Sequence, residues 1–84
     1  MAEATRQSIQ AMIEYIASSL VDDADTVEVT ESAREDYVVM ELTVRPEDLG
    51  RVIGKNGQTA RAIRTLVNAA ASRAGEKIIF EIKE

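Results

Sequence analysis

Apolar residues along this chain follow two spacings, and the switches between them outline a fold. From about Glu3 to Leu20 the stripe Ile9, Met12, Ile13, Ile16 and Leu20 recurs every three or four residues, which predicts one amphipathic helix. Val21-Asp22-Asp23-Ala24-Asp25 ends it, because Asp is a poor helix former and favours turns. The spacing then shortens to two. Thr26 to Thr30 alternates and predicts a half-buried strand with Val27 and Val29 inward. Residues 32–36 are short and polar and turn the chain back. Tyr37 to Val44 follows, with Val38, Met40, Leu42 and Val44 on one face. As the most apolar strand it is expected at the centre of the sheet.

Pro46 breaks that strand and suits the first position of a helix, where Glu47 and Asp48 complement the positive end. Leu49, Val52 and Ile53 form a short apolar face that stops at Gly54. A second long helix is predicted from Gln58 to about Ala74, with Ala60, Ile63, Val67, Ala70, Ala71 and Ala74 on its buried side and Gly75 as a left-handed cap. Lys77 to Lys83 alternates again, with Ile78, Phe80 and Ile82 inward. The order is α-β-β-α-α-β. The short turn makes the first two strands antiparallel, and the helical crossover makes the second and third parallel and right-handed. The expectation is an α+β fold, a three-stranded mixed sheet with the helices on one face. Eighty-four residues make one domain, 1–84, without linker or repeat.

Within the crossover lies Arg51-Val52-Ile53-Gly54-Lys55-Asn56-Gly57-Gln58-Thr59-Ala60. Glycine permits left-handed backbone and lets a ligand approach the main chain. A helix opening behind the loop leaves its first N–H groups unpaired, which suits an anion such as phosphate. An isolated G-x-x-G more often does no more than end one helix and start the next. Here Val52-Ile53-Gly54-Lys55-Asn56-Gly57, followed by Ile63, resembles the V-I-G-x-x-G core of the KH domain, whose GXXG loop clamps single-stranded nucleic acid. The element order is similar to the type II KH fold over nearly the whole chain. The Gly50-Arg51-Val52-Ile53-Gly54-Lys55-x-Gly57 run and its Ala-rich, Arg-bearing helix look like the small bacterial RNA-binding proteins of the KhpA type.

That resemblance implies single-stranded RNA as ligand, an RNA chaperone or post-transcriptional regulator, and pairing as a homodimer or a heterodimer with a larger KH-containing protein. It implies that the backbone at Gly54–Gly57 meets consecutive phosphates with Lys55 and Asn56 at the loop tip. Val52, Ile53 and Ala60 would offer an aliphatic wall to splayed bases, and Arg51, Arg61 and Arg64 further contacts. For Arg61 and Arg64 a solvated helix surface is the plain alternative. Ala60 stands where many KH domains carry a branched apolar residue.

Composition narrows the classes. There is no His and no Cys, so no Ser-His or Cys-His pair, thiolate metal site or disulfide can be built. Fifteen acids remain, spread along positions expected to be exposed, and no catalysis, metal or cofactor is expected. Neither a secretion signal nor an 18-residue uncharged run is present, so a cytosolic protein without membrane contact is expected. The net charge of −5 is unusual for a nucleic-acid binder. Its distribution answers part of that: residues 49–75 hold five cations and no acid, and the remaining 57 residues carry a net −10. A positive face on an acidic body still binds phosphates, weakly and with salt sensitivity.

Two rival readings differ in class. A P-loop needs four residues between its glycines and a Ser or Thr after the Lys; Gly50 to Asn56 has three, and Asn. The second rival is a KH-like protein–protein interaction module, a dimerisation adaptor with little RNA affinity. For it, Tyr37, Val39 and Ile79 fall on the sheet face away from the helices. Tyr15 and Phe80 are expected in or beside the core. The lane Ala62, Leu66, Ala69 and Arg73 runs beside the core stripe of the second long helix, with Leu66 either at the core edge or an anchor for a partner.

Overall fold

The computed structural model describes residues 2–83. Helix α1 (Ala2–Leu20) leads into a 3₁₀ turn, then strands β1 (Glu28–Ala33) and β2 (Val38–Thr43). Helix α2 (Leu49–Ile53) and helix α3 (Gln58–Arg73) flank the glycine loop, and β3 (Ile78–Lys83) closes the chain. The sheet order is β1-β2-β3, with β2 central as expected. Val29 faces Leu42 across the antiparallel β1–β2 pair. Val38, Met40 and Leu42 stand beside Ile78, Phe80 and Ile82 across the parallel β2–β3 pair.

The core forms where these inward rows meet the helices. Ile13, Met40, Leu42, Ile63, Val67 and Phe80 are the large residues that seal it, all buried. Along α1 the centre of the stripe is Ile9, Ile13 and Ala17, one residue every four. Two expectations for α1 fail. Leu20 is 37% exposed because the helix ends there and runs past the sheet, and Tyr15 is 76% exposed on the outer face. Ala17, with no exposed surface, takes the core place.

Strand β1 starts two residues later than the alternation predicts. Asp23 accepts from the Asp25 N–H at 3.1 Å and its carbonyl from the Thr26 hydroxyl at 2.7 Å. These local bonds hold Ala24–Thr26 in a 3₁₀ turn against the strand propensity of Thr26. At the hairpin the Arg34 N–H donates to the Tyr37 carbonyl at 2.7 Å. Gln10 ties α1 to β1 through the Val29 carbonyl at 3.1 Å.

Asp48 is the clearest departure. Read as an exposed acid at a helix start, it is 2% exposed and faces Arg45, with Nε and Oδ2 3.6 Å apart. Neither of those two atoms has a hydrogen-bond partner in the protein. The tight Pro46–Asp48 turn directs its side chain inward. At the far end of α3, Ala74 is exposed where burial was expected, because the helix has ended at Arg73. The Gly75 N–H donates to the Ser72 carbonyl at 3.1 Å and the Glu76 N–H to Ala71 at 2.8 Å, the two bonds of a Schellman cap. Arg6 then fixes Glu76 with a forked pair of bonds at 3.0 and 3.1 Å, stapling α1 to that cap.

Candidate nucleic-acid interface

Val52 is fully buried and anchors α2 to the core, which brings the chain to the surface at Gly54. Gly54 has φ 79° and ψ 170°, a conformation that only glycine adopts readily. A Cβ there would lie 2.8 Å from the Thr59 Cβ and 2.9 Å from its backbone nitrogen, and nearer still to Oγ1. The loop is thus folded tightly onto the first turn of α3.

Lys55 keeps a negative φ, whereas Asn56 (56°, 23°) and Gly57 (75°, 14°) are left-handed. The Gly57 N–H donates to the Gly54 carbonyl at 3.0 Å, closing a turn of the type II sense. Asn is the residue besides glycine that best tolerates the left-handed region, which explains Asn56 at the third position. No side chain caps α3; its Gln58 N–H donates to the Lys55 carbonyl, and the N–H groups that come next stand directly behind the turn. A 16-residue helix adds its dipole to those donors, so the mouth of the loop favours an anion.

The cations differ in how they stand to this loop. Lys55 is exposed at the tip, with Asn56 beside it. The guanidinium of Arg61 lies against Gly57, where a Cβ would meet its Nη1 at 3.4 Å. Arg51 is engaged elsewhere: Nη1 donates to Asp22 Oδ1 at 2.6 Å. That hydrogen bond, followed by the Asp22 charge, raises the Arg51 pKa further. Arg64 sits 5.9 Å over the ring of Phe80, on the β3 side of α3. Arg73 is at the opposite end of the helix, beside Thr5 and Ala74. The structure therefore gathers Gly54, Lys55, Asn56, Gly57 and Arg61 at one mouth and leaves Arg51 and Arg64 at its flanks.

The aliphatic wall is narrower than the sequence suggests. Val52 has no exposed surface and Ala60 is 9% exposed, so Ile53, half-buried, is what the wall presents. A helix of five residues has only one side to give, and Val52 gives it to the core. Sequence reasoning missed Thr59, which packs on Gly54, and Asp22, read only as a helix stop. Leu66 is 49% exposed, which takes it off the core edge and onto the surface lane with Ala62, Ala69 and Arg73. Among the described residues there is no group of three or more metal-ligating side chains. No helix among them is long and apolar enough to cross a membrane.

The sequence matches the family described as KhpA/KhpB, KH domain, over residues 10–82. It is 47% identical over 74 residues to the RNA-binding protein KhpA of Clostridium perfringens, covering 88% of this chain and 99% of that protein. The protein of the same name from Caldanaerobacter subterraneus is 49% identical over 71 residues, with 84% and 95% covered. That of Bacillus subtilis is 40% identical over 78 residues, with 93% and 96% covered. No solved structure gives a significant match. With the family matched from within α1 through α2, the loop and α3 into β3, this chain belongs to the KhpA/KhpB KH-domain family.

Proposed function

We propose that this protein binds short single-stranded RNA at the Gly54–Gly57 loop, as one KH domain spanning 1–84. The observation that carries the reading is the loop itself. Three successive devices open the main chain to an anion there: Gly54 in a glycine-only conformation, left-handed Asn56 and Gly57, and an α3 N-terminus without a side-chain cap. Membership of a KH family, and relatives named as RNA-binding proteins, support RNA as the anion.

Backbone N–H groups behind the turn and Lys55 hold the phosphates. Arg61 adds charge beside Gly57, and Ile53 offers an aliphatic surface to a base. Arg51 joins when a phosphate replaces Asp22, and Arg64 marks the β3 side of the groove. With few contacts on an acidic body a single groove binds weakly. A second groove from another chain, in a homodimer or with a larger KH-containing protein, raises avidity without a new type of contact. The lane around exposed Leu66 is the surface for that pairing. Such a protein suits the role of an RNA chaperone or post-transcriptional regulator in the cytoplasm.

The test replaces Lys55 and Asn56 together by Asp, which keeps the turn because Asp also accepts left-handed backbone. Fluorescence anisotropy with a short single-stranded RNA should show affinity at least about tenfold lower, as two anions face the phosphates. The melting temperature should hardly move. Unchanged affinity removes the loop from the mechanism.

A further inference from the structure

Thr59 holds the second position of α3, half-buried, with its side chain laid against Gly54. Where a Gly54 Cβ would stand, the nearest atom is Thr59 Oγ1, followed by the Thr59 Cβ at 2.8 Å and its backbone nitrogen at 2.9 Å. The hydroxyl therefore rests on the glycine that opens the loop. It lies in the same helical turn as the N–H groups left without a side-chain cap. A β-branched side chain has few rotamers, and contact with Gly54 restricts this one further.

A helical Ser or Thr can turn its hydroxyl back to the carbonyl four residues earlier. Thr65 does so on this same helix, donating to the Arg61 carbonyl at 3.0 Å, and Ser19 does so on α1, donating to Tyr15 at 2.8 Å. For Thr59 the corresponding carbonyl is that of Lys55, which already accepts from the Gln58 N–H. Among the described residues the Thr59 hydroxyl makes no hydrogen bond. Nor is it sealed in: the buried side-chain polar atoms without a partner among those residues are Arg45 Nε and Asp48 Oδ2. Thr59 Oγ1 is an unused donor that the surface can reach, fixed at the mouth where Lys55 and Arg61 bring charge.

We propose that Thr59 Oγ1 donates a hydrogen bond to one phosphate oxygen of the bound RNA strand, beside the main-chain N–H groups of the first turn of α3. The proposal rests on the RNA reading of the loop and adds a neutral side-chain contact to it. A hydrogen bond to an ionised oxygen is stronger than one between neutral groups. Holding the hydroxyl in place beforehand lowers the ordering cost of making it. Because the donor is uncharged, it strengthens the grip on a phosphate without adding to the salt dependence that the cations bring.

The test measures binding of a short single-stranded RNA to the full chain by fluorescence anisotropy over a range of salt. Thr59→Val keeps a branched side chain on Gly54 and removes the O–H. Affinity should fall about tenfold, with the slope of log K against log salt unchanged because no charge is lost. Thr59→Ala, small enough to fit any arrangement of the loop, should repeat the loss at the same slope. Thr59→Ser retains the hydroxyl and should bind within about threefold of the parent. RNAs carrying a methylphosphonate at each phosphate in turn then identify the acceptor: at one position the parent and the valine variant should bind equally. Parent-like binding by valine and alanine overturns the proposal. So does a serine variant as weak as valine, or a valine penalty that persists at every methylphosphonate position. Lys55→Asp with Asn56→Asp separates this from the loop reading. If that variant loses binding while valine does not, Thr59 alone is removed; if neither loses it, the loop reading falls as well.

Discussion

Both ends of α3 are marked by a glycine at positive φ, Gly57 at 75° and Gly75 at 71°, and the chain treats the two ends differently. At Gly75 the Schellman bonds satisfy the last carbonyls, and the Arg6–Glu76 fork locks the cap to α1. At Gly57 no side chain reaches the first N–H groups. One end is closed with partners drawn from across the fold; the other is left open beside a cation. The same residue type closes a helix end whose backbone groups are satisfied internally and opens one whose groups no side chain satisfies.

Gly54→Ala should break the open end most severely. The added Cβ meets Thr59 in a backbone conformation barred to alanine, so the loss should be about 3 kcal/mol or more. Thermal unfolding should show a fall of roughly 10 °C or more, with RNA binding lost. Normal binding by this variant would mean the loop geometry is incidental. Gly75→Ala sharpens the contrast, because nothing lies within 4 Å of the added Cβ. Only the left-handed backbone cost remains, about 1 kcal/mol. The folded variant should bind RNA as the parent does, and a matching loss of affinity would erase the distinction between the two ends.

The smallest effect is expected from Asp22→Asn. It leaves the loop untouched and frees Arg51 beside it. Exposed pairs of this kind are weak, so RNA affinity should rise by only about twofold at low salt. An affinity that falls instead would make Asp22 a positioning residue for Arg51.

Much of this was legible in the sequence because periodicity reports burial directly. The inward rows of β2 and β3, the central place of β2, the parallel crossover and the cap at Gly75 all follow from spacing and glycine placement. What periodicity cannot report is where a side chain goes when two elements compete for it. Val52 reads equally well as a wall for bases or as an anchor, and tertiary packing takes it inward. Asp48 reads as a helix-start acid, and a three-residue turn buries it instead. The Arg51–Asp22 bond joins residues 29 apart in sequence, a distance no local pattern encodes. Left-handed Asn56 was visible only as a polar residue, since its role is backbone shape and not side-chain chemistry.

The turn bond from the Gly57 N–H to the Gly54 carbonyl also governs how the loop ages. An asparagine followed by glycine is prone to cyclise: the next backbone nitrogen attacks the side-chain amide, ammonia departs, and water opens the ring to a carboxylate. Glycine favours this because it offers no side chain to obstruct the approach. In the folded protein that nitrogen is engaged as a donor inside a closed turn, so Asn56 is protected while the loop keeps its shape. Every excursion that opens the loop exposes Asn56 to a change that writes a permanent negative charge into it. The rigidity of four residues therefore protects the chemistry of the loop as well as its shape.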